Sequence, residues 1–259
     1  MDWLLEWFGR KLARYLSKPR VAGVHPATSP PEKLAGALEP GDVLLIEGNT
    51  RVSVAIKYLT QSTWSHSALY IGDALGAPPA GESPKVMIEA DMRAGVRAVP
   101  LDHYDGLHTR ICRPVGLAGD DLKKVIDFAV SRIGEAYDMK NVIDLARYLL
   151  PTPPVPTRWR RRMIALGSGD PTRAICSTLI AEAFESVRYP ILPEYVPPVA
   201  GENTDAAQEE ILRIRHHSLY TPRDFDISPY FAIVKPTIAH GFDYRKLRWE
   251  PTPPRSPPP

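Results

Sequence analysis

The 259 residues suffice for one large domain or two small ones, and an apolar share of 44% is that of a soluble protein with a buried core. A net charge of +2 excludes a polycation and gives no compositional case for nucleic acid as a partner. Two cysteines, Cys112 and Cys176, fit neither a metal-ligand spacing nor a disulfide framework, which points to a reducing compartment and no metal.

In chain order, Trp3, Leu4, Trp7, Phe8, Leu12, Tyr15 and Leu16 follow helical spacing, with Arg10, Arg14 and Lys18 on the other face. Two readings fit this stretch: a helix in a membrane interface, with residues 1–18 as the peripheral contact, or an amphipathic helix docked on its own domain. No run is long enough to span a bilayer. The apolar residues precede the basic ones, without a cleavage-site pattern, so a secretory signal is not expected. Pro19, Pro26, Pro30 and Pro31 make a linker, so residues 1–38 form an N-terminal unit.

The main domain is expected over residues 39–236. A turn at Glu39-Pro40-Gly41-Asp42 leads into Val43-Leu44-Leu45-Ile46, a short apolar run that reads as a buried strand. Val52–Leu59 reads as a short helix. Trp64–Gly72 reads as a second strand, with His66, Ala68 and Tyr70 on one face and Ser67, Leu69 and Ile71 on the other. Val86–Ala90 is a third strand; two strands joined by one loop pair antiparallel most simply, which brings Glu89 within reach of His66. Taken alone, His66 reads as a hydrogen-bonded structural histidine and Glu89 as a solvated strand-end carboxylate. Gly95–Leu101 and Thr109–Pro114 are further strands, with Cys112 as a small buried apolar residue.

Leu122, Val125, Ile126, Ala129, Val130 and Ile133 stripe a helix over Asp121–Ile133, favoured at its start by acidic residues and at its end by Gly134. Asp138–Leu150 reads as another helix. An insertion at about residues 150–172 carries Arg158, Arg160, Arg161 and Arg162 around Trp159. That cluster reads as a headgroup or phosphate site, or as a solvated basic face. After it, Cys176 opens a helix whose apolar series continues through Leu179, Ile180, Ala183, Phe184 and Val187. The amide donors and partial positive charge of a helix start favour a thiolate; the bland alternative is core filling. Pro190–Gln208 reads as irregular and Glu209–His217 as a short helix, His216 and His217 being surface residues. Tyr220–Asp226 is a turn into a short element, Tyr230–Val234 is the last strand, and residues 237–259 form a Pro-rich tail.

A papain-type thiol site needs a Cys at a helix start, a His on a neighbouring strand, and a polar group that fixes the imidazole. Here these come in the order His66, Glu89, Cys176, the reverse of the common order. The motifs Pro40-Gly41-Asp42-Val43, Trp64-Ser65-His66-Ser67-Ala68-Leu69-Tyr70-Ile71-Gly72, Val86-Met87-Ile88-Glu89-Ala90, Gly134-Glu135-Ala136-Tyr137-Asp138 and Ile175-Cys176-Ser177-Thr178-Leu179-Ile180 follow one another in that order. With them the sequence resembles the circularly permuted branch of the NlpC/P60 cysteine peptidase superfamily, the YiiX/YebB-like enzymes, with lecithin retinol acyltransferase-like proteins as more distant relatives.

The resemblance implies an α+β fold, a circularly permuted papain-like domain whose antiparallel sheet packs against helices. It implies Cys176 as nucleophile, His66 as base and Glu89 as orienter, with the Cys176 N–H in an oxyanion hole. Asp91, on the same strand face as Glu89, is the rival orienter, and Tyr137 matches a tyrosine that often borders the site. No cofactor is called for. The expected function is a cysteine hydrolase or acyltransferase that works through an acyl-enzyme on an amide or ester. A lipid-linked or N-acylated substrate at the cytoplasmic membrane face suits residues 1–18 and the Arg cluster. The rivals are a peptidoglycan amidase or endopeptidase and a non-catalytic membrane-associated binding module.

Overall fold

A computed structural model describes Lys18 and residues 25–91, 94–135, 175–195, 212–213 and 220–246. The expected N-terminal helix, the Asp138–Leu150 helix, Tyr137, the Arg158–Arg162 cluster, His216, His217 and the last part of the Pro-rich tail lie outside the described residues.

A short helix α1 (Pro31–Ala37) precedes strand β1 (Val43–Ile46) and helix α2 (Arg51–Thr60). Strands β2 (His66–Tyr70), β3 (Lys85–Asp91) and β4 (Gly95–Pro100) follow, then a 3-10 turn (Leu101–Tyr104) and β5 (Thr109–Pro114). Helix α3 spans Gly119–Ser131 and α4 spans Ile175–Glu185. Two two-residue strands, β6 (Glu194–Tyr195) and β7 (Leu212–Arg213), pair with each other. Helix α5 (Pro222–Ile227), strand β8 (Phe231–Val234), α6 (Pro236–Ala239) and a second 3-10 turn (Tyr244–Lys246) close the described chain.

The main sheet has six strands in the order β4-β3-β2-β1-β5-β8, each pair antiparallel. The hairpin expected between the second and third strands is present. Alternation along the strands splits the core between the two faces. Val43, Leu45, Leu69, Ile71, Ile88 and Ala90 pack with Val125, Ile126 and Ala129 of α3 and Leu179, Ile180, Ala183 and Phe184 of α4. Leu44, Ile46, Ala68, Met87, Val99 and Ile111 pack with Leu34, Ala37, Leu38 and Tyr104 on the other face. Every residue of β1 is buried, which is why that strand is apolar without alternation. At about 1.5–3 kcal/mol for each fully buried large apolar side chain, the first of these layers fixes α4 against the sheet.

The turn before β1 is built for close packing. Gly41 has φ +93°, and a Cβ there would lie 2.6 Å from Leu122 Cδ1 of α3. Asp42 accepts the Glu39 N–H at 2.8 Å and a two-armed bond from Arg113 (Nε to Oδ1 and Nη2 to Oδ2, both 2.8 Å), which ties the entry of β1 to β5.

Two expectations are corrected. Leu212–Arg213, expected within a helix over Glu209–His217, is instead the strand partner of Glu194–Tyr195 in the stretch read as irregular. Ile133, placed on the α3 stripe, lies past the end of that helix and is exposed.

Candidate active site

Trp64 fixes the entry to β2. It is buried, its indole N–H donates to Asp226 Oδ2 at 3.0 Å, and its ring stacks on His108 at 5.0 Å between centroids. Arg110 lies 5.0 Å over the same ring and is paired with Asp226. Two residues on, His66 opens the strand opposite Ile46.

His66 Nε2 meets Glu89 Oε2 at 2.6 Å. The register explains the encounter. Leu69 pairs with Ile88 and Tyr70 with Met87, so that alignment sets Glu89 opposite Ala68, one diagonal step from His66 on the same face. The same Glu89 oxygen accepts Tyr104 O–H at 2.6 Å, while Oε1 takes Arg97 Nε at 2.9 Å and Nη2 at 2.7 Å. Arg97 stands directly across from Glu89 in the β3–β4 ladder, and Tyr104 follows β4 by one 3-10 turn. His103 Nε2 is 3.7 Å from Oε1. Of the two carboxylates on this strand face, Glu89 is the one on His66. Asp91 Oδ1 accepts the Ala94 N–H in the β3–β4 turn.

Nε2 is engaged by Glu89, which leaves Nδ1 as the ring nitrogen open to the thiol of Cys176, whose charge and hydrogen bonding act on the imidazole. Cys176 is the second residue of α4 and is 4% exposed. Ser67, through its hydroxyl and its backbone N–H, also acts to favour the ionised sulfur. The charge states follow from these contacts. Burial pushes the Cys176 thiol up, but the His66 charge and hydrogen bond, with help from Ser67, bring it below its ordinary value. Burial opposes protonation of His66, but Cys176 first and Glu89 second lift the imidazole to about 10. Burial likewise opposes ionisation of Glu89, yet His66, Tyr104 and Arg97 hold its carboxyl well below the usual range. Tyr104, pushed up by burial and by the Glu89 charge, stays a donor. The result is a line of alternating charge, Arg97, Glu89, His66 and Cys176, that favours a thiolate–imidazolium pair at neutral pH. Cys112 is the contrast: buried among apolar neighbours, its thiol is pushed far up and it is inert core.

Arg97, Tyr104 and Ser67 belong to this constellation and were not expected from the sequence. For Ser67, the available signal was its place beside His66 on a strand. Among the described residues, no group of three or more His, Cys, Asp or Glu side chains is arranged to hold a metal ion. No described helix is long and apolar enough to cross a membrane.

An antiparallel sheet whose histidine and carboxylate strands precede the cysteine helix defines a permuted papain-like fold of the α+β class. The family model described as "Permuted papain-like amidase enzyme, YaeF/YiiX, C92 family" matches residues 37–148, a stretch that holds His66, Glu89, Arg97 and Tyr104 and ends before Cys176. Over residues 37–148 the chain is similar to this permuted papain-like family. Among solved structures it is similar to "Crystal structure of metalloprotein yiiX from Escherichia coli O157:H7", at 16% identity and a TM-score of 0.44, over 77% of this chain and 97% of that one. No curated protein matches the chain.

Proposed function

We propose that this protein is a thiol amidase that works through an acyl-enzyme, with Cys176 as nucleophile, His66 as proton carrier and Glu89 as the residue that positions His66. The observation that carries the reading is the His66 ring held between a buried carboxylate and the thiol at the start of α4, with thiol and imidazole displaced in opposite senses.

In this mechanism Cys176 Sγ attacks the substrate carbonyl carbon and the carbonyl π pair moves to oxygen. The oxyanion forms at the helix start, where the Cys176 N–H is a donor. As the tetrahedral adduct collapses, the C–N bond breaks, the imidazolium of His66 gives its proton to the leaving amine, and a thioester remains. Neutral His66 then takes a proton from water as that water attacks the thioester, releasing the acid and restoring the pair. An amine or alcohol in place of water gives acyl transfer by the same steps. The substrate class we favour is a lipid-linked or N-acylated amide or ester at a membrane surface. Its support is the sequence pattern of residues 1–18, with Trp3, Trp7 and Phe8 opposite Arg10, Arg14 and Lys18.

The test is labelling of the purified protein with a lipid-like, thiol-directed acyl probe at neutral pH, read by intact mass. Fast single labelling is expected in wild type, none in Cys176→Ala, and a fall of at least about a hundredfold in His66→Ala. Labelling at Cys176 that is slow and indifferent to His66→Ala would overturn the reading and leave a non-catalytic scaffold.

A further inference from the structure

We propose that Ser67 is a positioning residue that holds the Cys176 sulfur as an anion, through its backbone N–H and its hydroxyl together. This rests on the reading of Cys176 as the nucleophile.

The side chain is placed by the alternation of β2. Leu69 and Ile71 lie in the cluster packed under α4, so Ser67 faces α4 as well, opposite to His66. There its hydroxyl is wholly buried and has no hydrogen-bond partner in the structure. A buried hydroxyl in an apolar layer is unfavourable unless something takes its proton. The acceptor that α4 offers to this face is the buried sulfur of Cys176, on which Ser67 acts. A hydroxyl proton rotates freely about its C–O bond, so it can turn to the sulfur once the thiol has ionised.

The backbone donor is placed by the hydrogen-bond phase of the strand. The Tyr70 N–H is on Asp42 O and the Ile71 N–H is on Val86 O, each at 2.8 Å. Alternate residues therefore donate to β1 and to β3, and the Ser67 N–H points toward β3. The β2–β3 pairing covers only Leu69↔Ile88 and Tyr70↔Met87. Two steps beyond Leu69↔Ile88, where Ser67 would have paired with Ala90, the two strands have parted, and the released N–H serves the sulfur. The opening of the ladder thus supplies the donor.

The test is the pH profile of Cys176 alkylation by iodoacetamide, read by intact mass, with buried Cys112 as the unreactive internal reference. Ser67→Ala is expected to move the alkylation midpoint up by about one pH unit, a tenfold loss of thiolate below the midpoint. Its thermal midpoint should be unchanged or higher, because the hydroxyl has no other partner to lose. Ser67→Thr, which keeps the hydroxyl on a strand-compatible side chain, should restore the wild-type midpoint, and Ser67→Gly, which also lacks the hydroxyl, should behave as Ser67→Ala. A Ser67→Ala midpoint equal to wild type would overturn the proposal while His66→Ala still raises it. A wild-type midpoint at the ordinary thiol value and indifferent to His66→Ala would instead sink the nucleophile reading itself.

Discussion

Glu89→Gln changes one atom and should change three interactions. In the wild type both carboxylate oxygens are in use: Oε2 accepts from His66 and Tyr104, and Oε1 accepts the two-armed bond of Arg97. An amide has one acceptor oxygen and turns an NH2 group toward donors, so it must give up either the Arg97 side or the His66–Tyr104 side. Arg97 is partly exposed and can find water, so the functional cost is set by His66. The loss of one charge-assisted hydrogen bond is about 1.5–3 kcal/mol, equivalent to about 1–2 pH units. The signs are definite. The Glu89 charge raises His66, so its removal lowers the imidazole from about 10; the thiolate then loses its imidazolium and Cys176 rises. The bell of activity against pH should narrow from both sides, and kcat/KM should fall about ten- to hundredfold. Glu89 also makes stability depend on pH. Its folded value lies below the ordinary 4.5, so its contribution is present above that value and is lost as pH falls below it. Urea unfolding followed from pH 7 to 3 should show a smaller acid loss in Glu89→Gln than in wild type. A variant that keeps the wild-type bell and alkylation midpoint would refute the chain of reasoning from Glu89 to the sulfur.

Two further substitutions test the frame around the site. Tyr104→Phe removes a buried donor 2.6 Å from Glu89 without changing shape. It should cost about 1.5–3 kcal/mol in urea unfolding while Cys176 labelling still depends on His66, and a loss under about 0.5 kcal/mol would contradict the structure. Gly41→Ala places a side chain at φ +93° and against Leu122. It should destabilise by about 1–3 kcal/mol, and a neutral result would mean the turn before β1 is not held as described.

What could be read from the sequence follows from the range of each interaction. His66 and Glu89 were legible together because a strand–loop–strand pattern brings its own halves together, and period 2 tells which side chains share a face. Cys176 was legible because the stripe from Leu179 to Phe184 fixes the helix. The rank of Glu89 over Asp91 was not legible, since both lie on one strand face. Register decides it: Asp91 falls at the turn and bonds Ala94. Arg97 and Tyr104 left no mark because they reach Glu89 through the β3–β4 register and through a 3-10 turn. The Glu209–His217 misreading has a similar cause. Ile211, Leu212 and Ile214 suit a helix by spacing, but Leu212 and Arg213 are claimed by a pairing with Tyr195 and Glu194 that local periodicity does not register.

The same dependence on register says why the site stands at this end of the sheet. Arg97 faces Glu89, Glu89 reaches His66 diagonally, and His66 meets Cys176, so each step crosses from one element to the next. A slip of one residue between β3 and β4 would turn Arg97 to the opposite face from Glu89 and leave a buried carboxylate short of its strongest cation. The irregularity between Lys85 and Met87 lies toward the far end of the same ladder, so the pairs from Met87↔Val99 to Asp91↔Gly95 run in one unbroken register beside the site. On the other side of β3 the ladder to β2 stops after Leu69↔Ile88, and the donor so released is the one that reaches the Cys176 sulfur. One strand therefore does two opposed things. It pairs fully with β4 to hold the charge of Glu89 and parts from β2 to open the space in which that charge is used.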